Sequence, residues 1–149
     1  MTADVFKPFD IFFEELGKEG HSLNAGDVIK IALIDSNWTP DTETDVTFSV
    51  IDEDELPTAN GYTAGGQTVA TTWDAETGTL TFNSANASWS VDTAALTARY
   101  AVLYNSSIAT NNLIVYSLLD NSPADASADP TFDFVVTINA SGIGTITVA

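Results

Sequence analysis

The chain has 149 residues, no cysteine, and four Lys+Arg against 21 Asp+Glu, for a formal net charge of -17. That balance leaves no clustered cations of the kind that bind phosphate backbones or anionic lipid, so neither nucleic acid nor a membrane is an expected partner. Without cysteine there is no disulfide framework and no thiolate chemistry, and no apolar run reaches the roughly 18 residues of a membrane span.

Hydrophobic residues make up 44% of the chain, and β-branched and aromatic types are prominent while Leu, Lys, Gln and Met are scarce, which favours sheet over helix. The length suits one hydrophobic core. The expectation is therefore a single mainly β domain over residues 1–149: an antiparallel, jelly-roll-like β-sandwich with its sheet core in 27–149. The acidity reads as solubility and self-repulsion between copies, with metal binding as the alternative.

Phe6, Phe9, Phe13 and Leu16 follow the spacing of one helical face, and Ile11 and Phe12 widen it. A helix over 5–18 is predicted, with Pro8 in its first turn and Gly17 and Gly20 ending it. The aromatic stripe of Phe6, Phe9, Phe12 and Phe13 either lies on the sandwich as a lid or docks on a neighbouring subunit, because a patch of that size seldom stays in water. Asp10, Glu14 and Glu15 interrupt the apolar run and no small-residue cleavage site follows, so a secretory signal is not expected and synthesis in the cytoplasm is.

Val28 to Asp35 reads as a buried strand in which Lys30 marks a wet edge. Trp38 to Asp41 opens a polar connection, and Val46 to Ile51 is a strand or a turn-rich excursion. Asp52 to Glu55 are four consecutive carboxylates, which lack the interleaved carbonyls and turn of a calcium loop and read as a solvated loop or N-cap. Asp120, Asp125 and Asp129 are read with the same caution. Gly65-Gly66 is followed by neither Lys nor a helix, so it is a bend entering the strand Gln67 to Trp73 rather than a phosphate cradle. Asp74 to Thr79 is a hairpin turn. Trp89 starts a further strand or bend, and Asp92 to Leu96 suggests one helical turn capped by Asp92.

The centre of the chain is Thr97 to Asn105, paired as a hairpin with Leu113 to Leu119. Arg99, Ala101 and Leu103 fall on one face of the first strand and Tyr100, Val102 and Tyr104 on the other, so both faces should be covered. Arg99 then needs a carboxylate or carbonyls beside a core strand, which predicts a structural ion pair. Phe132 to Ile138 and Gly144 to Ala149 alternate as terminal strands, the last suggesting a C-terminus that is tucked in or bound to a subunit.

The order of these motifs resembles a group of small structural proteins of tailed phages. The residues that carry the likeness are the aromatic N-terminal segment, V-I-K-I-A-L-I from Val28, G-Y-T-A-G-G from Gly61 and W-S at Trp89. A-R-Y-A-V-L-Y-N from Ala98, L-I-V-Y-S-L-L-D from Leu113 and F-D-F-V-V from Phe132 complete it. The resemblance implies a virion protein made in the host cytoplasm. A capsid decoration or cement protein is the first expectation, acting as a homotrimer on the major capsid protein or another virion protein, and a tail or fibre component is the alternative.

A glycan-binding module using Trp38, Trp73 or Trp89 as a stacking platform is a second class of function. An enzyme is not expected: a hydrolase triad would need His21 between an acid and a serine, and nothing in the sequence places them together. No catalytic residue, cofactor or metal ligand is assigned.

Overall fold

The computed structural model describes residues 3–18, 20–23, 26–122 and 124–147. The chain opens with a two-residue strand β1 (Lys7–Pro8), the helix α1 (Asp10–Gly17) and β2 (Ile29–Ile34). After two short 3-10 turns at Phe48–Val50 and Asp52–Asp54 come β3 (Gln67–Val69), β4 (Thr71–Glu76), β5 (Thr79–Ser84), β6 (Ala87–Ser90) and β7 (Leu96–Ala98). The remaining strands are β8 (Tyr100–Asn105), β9 (Leu113–Leu118), β10 (Ala126–Ala128), β11 (Asp133–Val136) and β12 (Gly144–Thr147).

One five-stranded antiparallel sheet, in the order β1-β9-β8-β2-β3, forms the middle of the molecule. Alternation decides what each of its faces meets. Ile29, Ile31, Leu33, Ala101 and Leu103 point into a core shared with Phe82, Trp89, Leu96 and Phe134. Ala32, Ile34, Val102 and Tyr104 point the other way, onto Phe9, Trp38, Phe48 and Ile51. A sheet covered on both faces needs apolar residues at successive positions, which is why β2 and β8 read as continuous hydrophobic runs.

The layer over the first face is not a second continuous sheet. It is a three-stranded sheet, β12-β5-β4, beside two separate two-stranded ribbons, β10-β7 and β11-β6. The chain crosses between layers at Ala70, where β3 leaves its pairing with β2 and β4 begins its pairing with β5. Over the second face lie Phe9, the Trp38 loop and the 3-10 turns, while α1 reaches both cores, with Ile11 on this one and Phe12 and Leu16 on the other. The fold is thus mainly β and sandwich-like, with one short N-terminal helix.

Four local expectations are corrected. The helix starts at Asp10 rather than residue 5, because Lys7 and Pro8 pair with Tyr116 and Val115. Pro8 fits there since β1 is an edge strand and the missing N–H costs no ladder bond. Lys30 does not mark an edge: β2 lies between β8 and β3. Asp92 to Leu96 contains bends but no helical turn, whereas the 3-10 turn at Phe48–Val50 agrees with the turn-rich reading of Val46 to Ile51. The terminal strands are shortened to Asp133–Val136 and Gly144–Thr147; the expected end at Val148 and Ala149 lies outside the described residues.

Candidate functional site

An open groove of about 880 Å³ lies on the second layer. It runs between β10 and β11, with the segment 3–6 and the turn 139–143 at its margins. Successive strand residues point to opposite faces, yet Phe132 to Thr137 line the groove without a break, as do Ala126 to Asp129. Such a run presents a backbone edge rather than a face. Among the described residues β10 pairs only with β7 and β11 only with β6, so each keeps one unpaired edge. Val5, Phe132 and Val135, three of the exposed large hydrophobics, all line this groove, and Phe132 is 70% exposed.

The aromatic residues singled out in the sequence are spent mostly inside the chain. Phe9 is 0% exposed and its ring lies 5.3 Å from that of Tyr116 and 6.3 Å from that of Trp38. Phe12 is buried against Phe82 and Trp73, and Phe6 is partly buried on the same core. The docking expectation is therefore corrected for Phe9 and Phe12: the stripe is largely a lid, and Phe13, 50% exposed, is its outward residue. A platform of exposed tryptophans is corrected too. Trp38 is buried, donating its Nε1–H to Asp45 at 3.1 Å, Trp89 is buried between Tyr62 and Phe134, and Trp73 is half-buried beside Phe12.

His21 lies in the loop before β2 and is tied to the end of β8. The amide of Asn105, itself 0% exposed, donates to His21 Nδ1 at 3.0 Å and to Asp27 Oδ2 at 2.6 Å, while Asn105 Oδ1 accepts from the Ser107 N–H. His21 Nε2 is buried and has no hydrogen-bond partner among the described residues, so no serine is activated by it. Burial holds the imidazole below its ordinary pKa, opposed more weakly by Asp27 and Glu15. A protonated Nδ1 would also face a donor rather than an acceptor. The unfolded chain therefore takes up this proton first, and folding stability falls as pH drops below about 6.5 towards the folded value. Urea midpoints measured from pH 7.5 to 5.5 should decline in the wild type and decline less in His21→Gln; equal slopes would refute the assignment.

A second polar cluster, built on Glu55, ties the loop 55–66 to β2. Glu55 Oε1 accepts from Tyr62 Oη and from the Gly65 N–H, each at 2.6 Å, and Tyr62 Oη accepts in turn from the Leu33 N–H. Tyr104 Oη donates to the Gly65 carbonyl at 2.7 Å. Burial raises the Glu55 carboxyl, against the pull of those two donors, and pushes the Tyr104 phenol up to about 12. These groups bond inward to main chain, so their role is to hold a loop.

Arg99 forms an ion pair with Asp125 across the gap between β7 and the 120s loop. Its main chain bridges the two flanking strands, donating to Ile34 and accepting from Leu119. Asp120 Oδ1 accepts from the backbone and hydroxyl of Ser122. Asp52 to Asp54 form a 3-10 turn, and only Glu55 of that acidic run turns inward. Among the described residues no three His, Asp or Glu side chains are placed to hold a metal ion.

The groove was not anticipated from the sequence. Its one signal was Val135, an apolar residue in the outward phase of a strand whose inward phase is Phe134 and Val136. Comparison with known proteins adds no further constraint: no family model, no curated protein and no solved structure matches the chain.

Proposed function

We propose that this chain is a structural protein of a tailed-phage virion, a capsid decoration or cement protein that binds the assembled shell as a trimer and stabilises it. The observation that carries the reading is the gathering of Val5, Phe132 and Val135 along one groove with open strand edges, on an otherwise strongly acidic chain. Apolar surface gathered in this way marks sites where protein meets protein. The motif resemblance supplies the virion context, and the inward-facing polar clusters are consistent with a structural role.

The mechanism is linkage. A protein that binds only the assembled shell stabilises it by mass action, by about 2.7 kcal/mol per site when free protein stands at a hundred times its Kd. Mass spectrometry of virions of the phage that encodes the chain should find it in many copies, comparable to the major shell protein. Shells assembled without it should break at lower temperature and regain stability when it is added. A handful of copies per virion would place it in the tail or fibre, and its absence from virions would refute the reading.

A further inference from the structure

We propose that the groove between β10 and β11 takes an extended segment of a partner protein as an added β-strand. That segment would be apolar at alternate residues and carry Lys or Arg. This deepens the docking reading above and rests on it for the identity of the partner, though not for the chemistry of the site.

Three observations converge on a strand as occupant. The first is the pair of open edges: unbroken lining by Phe132 to Thr137 and Ala126 to Asp129 means that backbone donors and acceptors border the groove. Backbone edges recognise extended chains by main-chain hydrogen bonds, and pockets beside them select alternate side chains. The second is the apolar rim, where Val135 and Phe132 offer exposed surface on either side of the β11 edge, while Phe134 and Val136 are buried and cannot. An occupant with apolar residues at every second position would lay one apolar row beside Val135, on the face that β11 exposes.

The third is charge. The ionisable residues lining the groove are Asp4, Asp129 and Asp133, and no cation lines it. Asp4 has Lys7 at 3.5 Å and Asp133 accepts from Ser90 at 2.9 Å, but both remain acids in a chain of net charge -17. A second copy is a poor occupant. Of its four cations, Lys7, Lys18 and Arg99 already sit in ion pairs and Lys30 lies beside Glu55 on the interior strand β2. Self-repulsion would oppose that contact. A cationic segment, by contrast, gains attraction on approach that falls with salt.

The test uses the full chain and a displayed library of random peptides of roughly ten residues, long enough to pair along a strand edge. Selected peptides should alternate β-branched or aromatic residues with polar ones and be enriched in Lys and Arg. Resynthesised, they should protect amides of 126–128 and 132–137 from hydrogen exchange and bind more weakly in high salt. Val135→Lys, which sets a cation against the incoming strand, and the double variant Asp129→Asn with Asp133→Asn should each weaken binding about tenfold or more, equivalent to about 1.4 kcal/mol. Both change exposed side chains, and their urea midpoints should match the wild type. No enrichment, a helical or acidic consensus, protection elsewhere, or full binding by Val135→Lys would each overturn the proposal. The two readings fail separately: shells that bind wild type and Val135→Lys equally refute the strand-addition site alone, whereas selected peptides together with virions that lack the protein refute the virion role alone.

Discussion

Phe9→Ala should destabilise the protein by about 3–5 kcal/mol, the usual cost of truncating a fully buried phenylalanine. Phe13→Ala, four residues on in the same aromatic stripe, should cost under about 1 kcal/mol. The contrast follows from placement. Phe9 is 0% exposed, caps α1 at its N-terminus and fills the layer between the five-stranded sheet and the Trp38 loop. Its own N–H donates to the Ile114 carbonyl, so the residue is fixed at the point where β1 turns into the helix. Removing the ring leaves Trp38 and Tyr116 facing a void that they cannot close without giving up their contacts with Tyr100. Phe13 is half exposed and touches mainly Phe12.

Against a total stability of about 5–15 kcal/mol, the Phe9 loss is a large fraction of what holds the fold. Chemical denaturation of both variants, with the slope compared to confirm two-state behaviour, checks the pair. Equal small losses would mean that the aromatic stripe is not part of the core. The result also bears on function, since Phe9→Ala that still folds at low temperature should bind its partner as the wild type does.

The middle sheet was legible in the sequence because burial on both faces leaves an unmistakable trace. In Ile29–Ile34, Tyr100–Asn105 and Leu113–Leu118 nearly every position is apolar, and alternation then divides the side chains between two cores. Arg99 was legible for the converse reason, as a lone charge beside such a strand that had to find Asp125. The start of the helix was not, since Phe6 and Phe9 keep a helical spacing while the chain between them is extended and only later turns. Both residues reach apolar surroundings, and spacing alone does not distinguish the two routes.

The groove escaped because its walls are short. β10 has three residues, Ala-Ser-Ala, and β11 has four, too few for periodicity to register. What makes them a site is that their partners, β7 and β6, leave one edge of each open, and pairing between segments 28 to 49 residues apart is not written in local sequence. The His21–Asn105 contact, spanning 84 residues, was hidden for the same reason.

Gly66→Ala should be among the most damaging single changes in the chain, costing about 4 kcal/mol or more. Gly65→Ala should cost only about 1–3 kcal/mol, the strain of the backbone conformation alone. Both glycines have positive φ, +90° at Gly65 and +65° at Gly66, so the strain is common to the two. Only the space differs. A Cβ on Gly65 would have its nearest neighbours at 3.9 and 4.0 Å, the ends of the Lys30 and Tyr104 side chains. On Gly66 it would stand 2.1 Å from the Ile31 carbonyl oxygen, 2.7 Å from its carbon and 2.9 Å from the Ala32 Cα, all main chain of β2. An interior strand paired on both sides cannot retreat, so the loop must.

Moving the loop away detaches what Gly65 holds in place: the N–H on Glu55 and the carbonyl on Tyr104 Oη. It also pulls on Tyr62, whose hydroxyl accepts from the Leu33 N–H, and a buried donor left unpaired costs about 1–3 kcal/mol by itself. The β3 pairing of Gln67 to Val69 with Ile29 to Ile31 should be lost in the same step. Urea denaturation of the two variants gives the difference, and hydrogen exchange of the Ile29 and Ile31 amides shows where it arises. Equal losses from Gly65→Ala and Gly66→Ala would show that conformational strain, rather than close approach to the central sheet, is what requires glycine there.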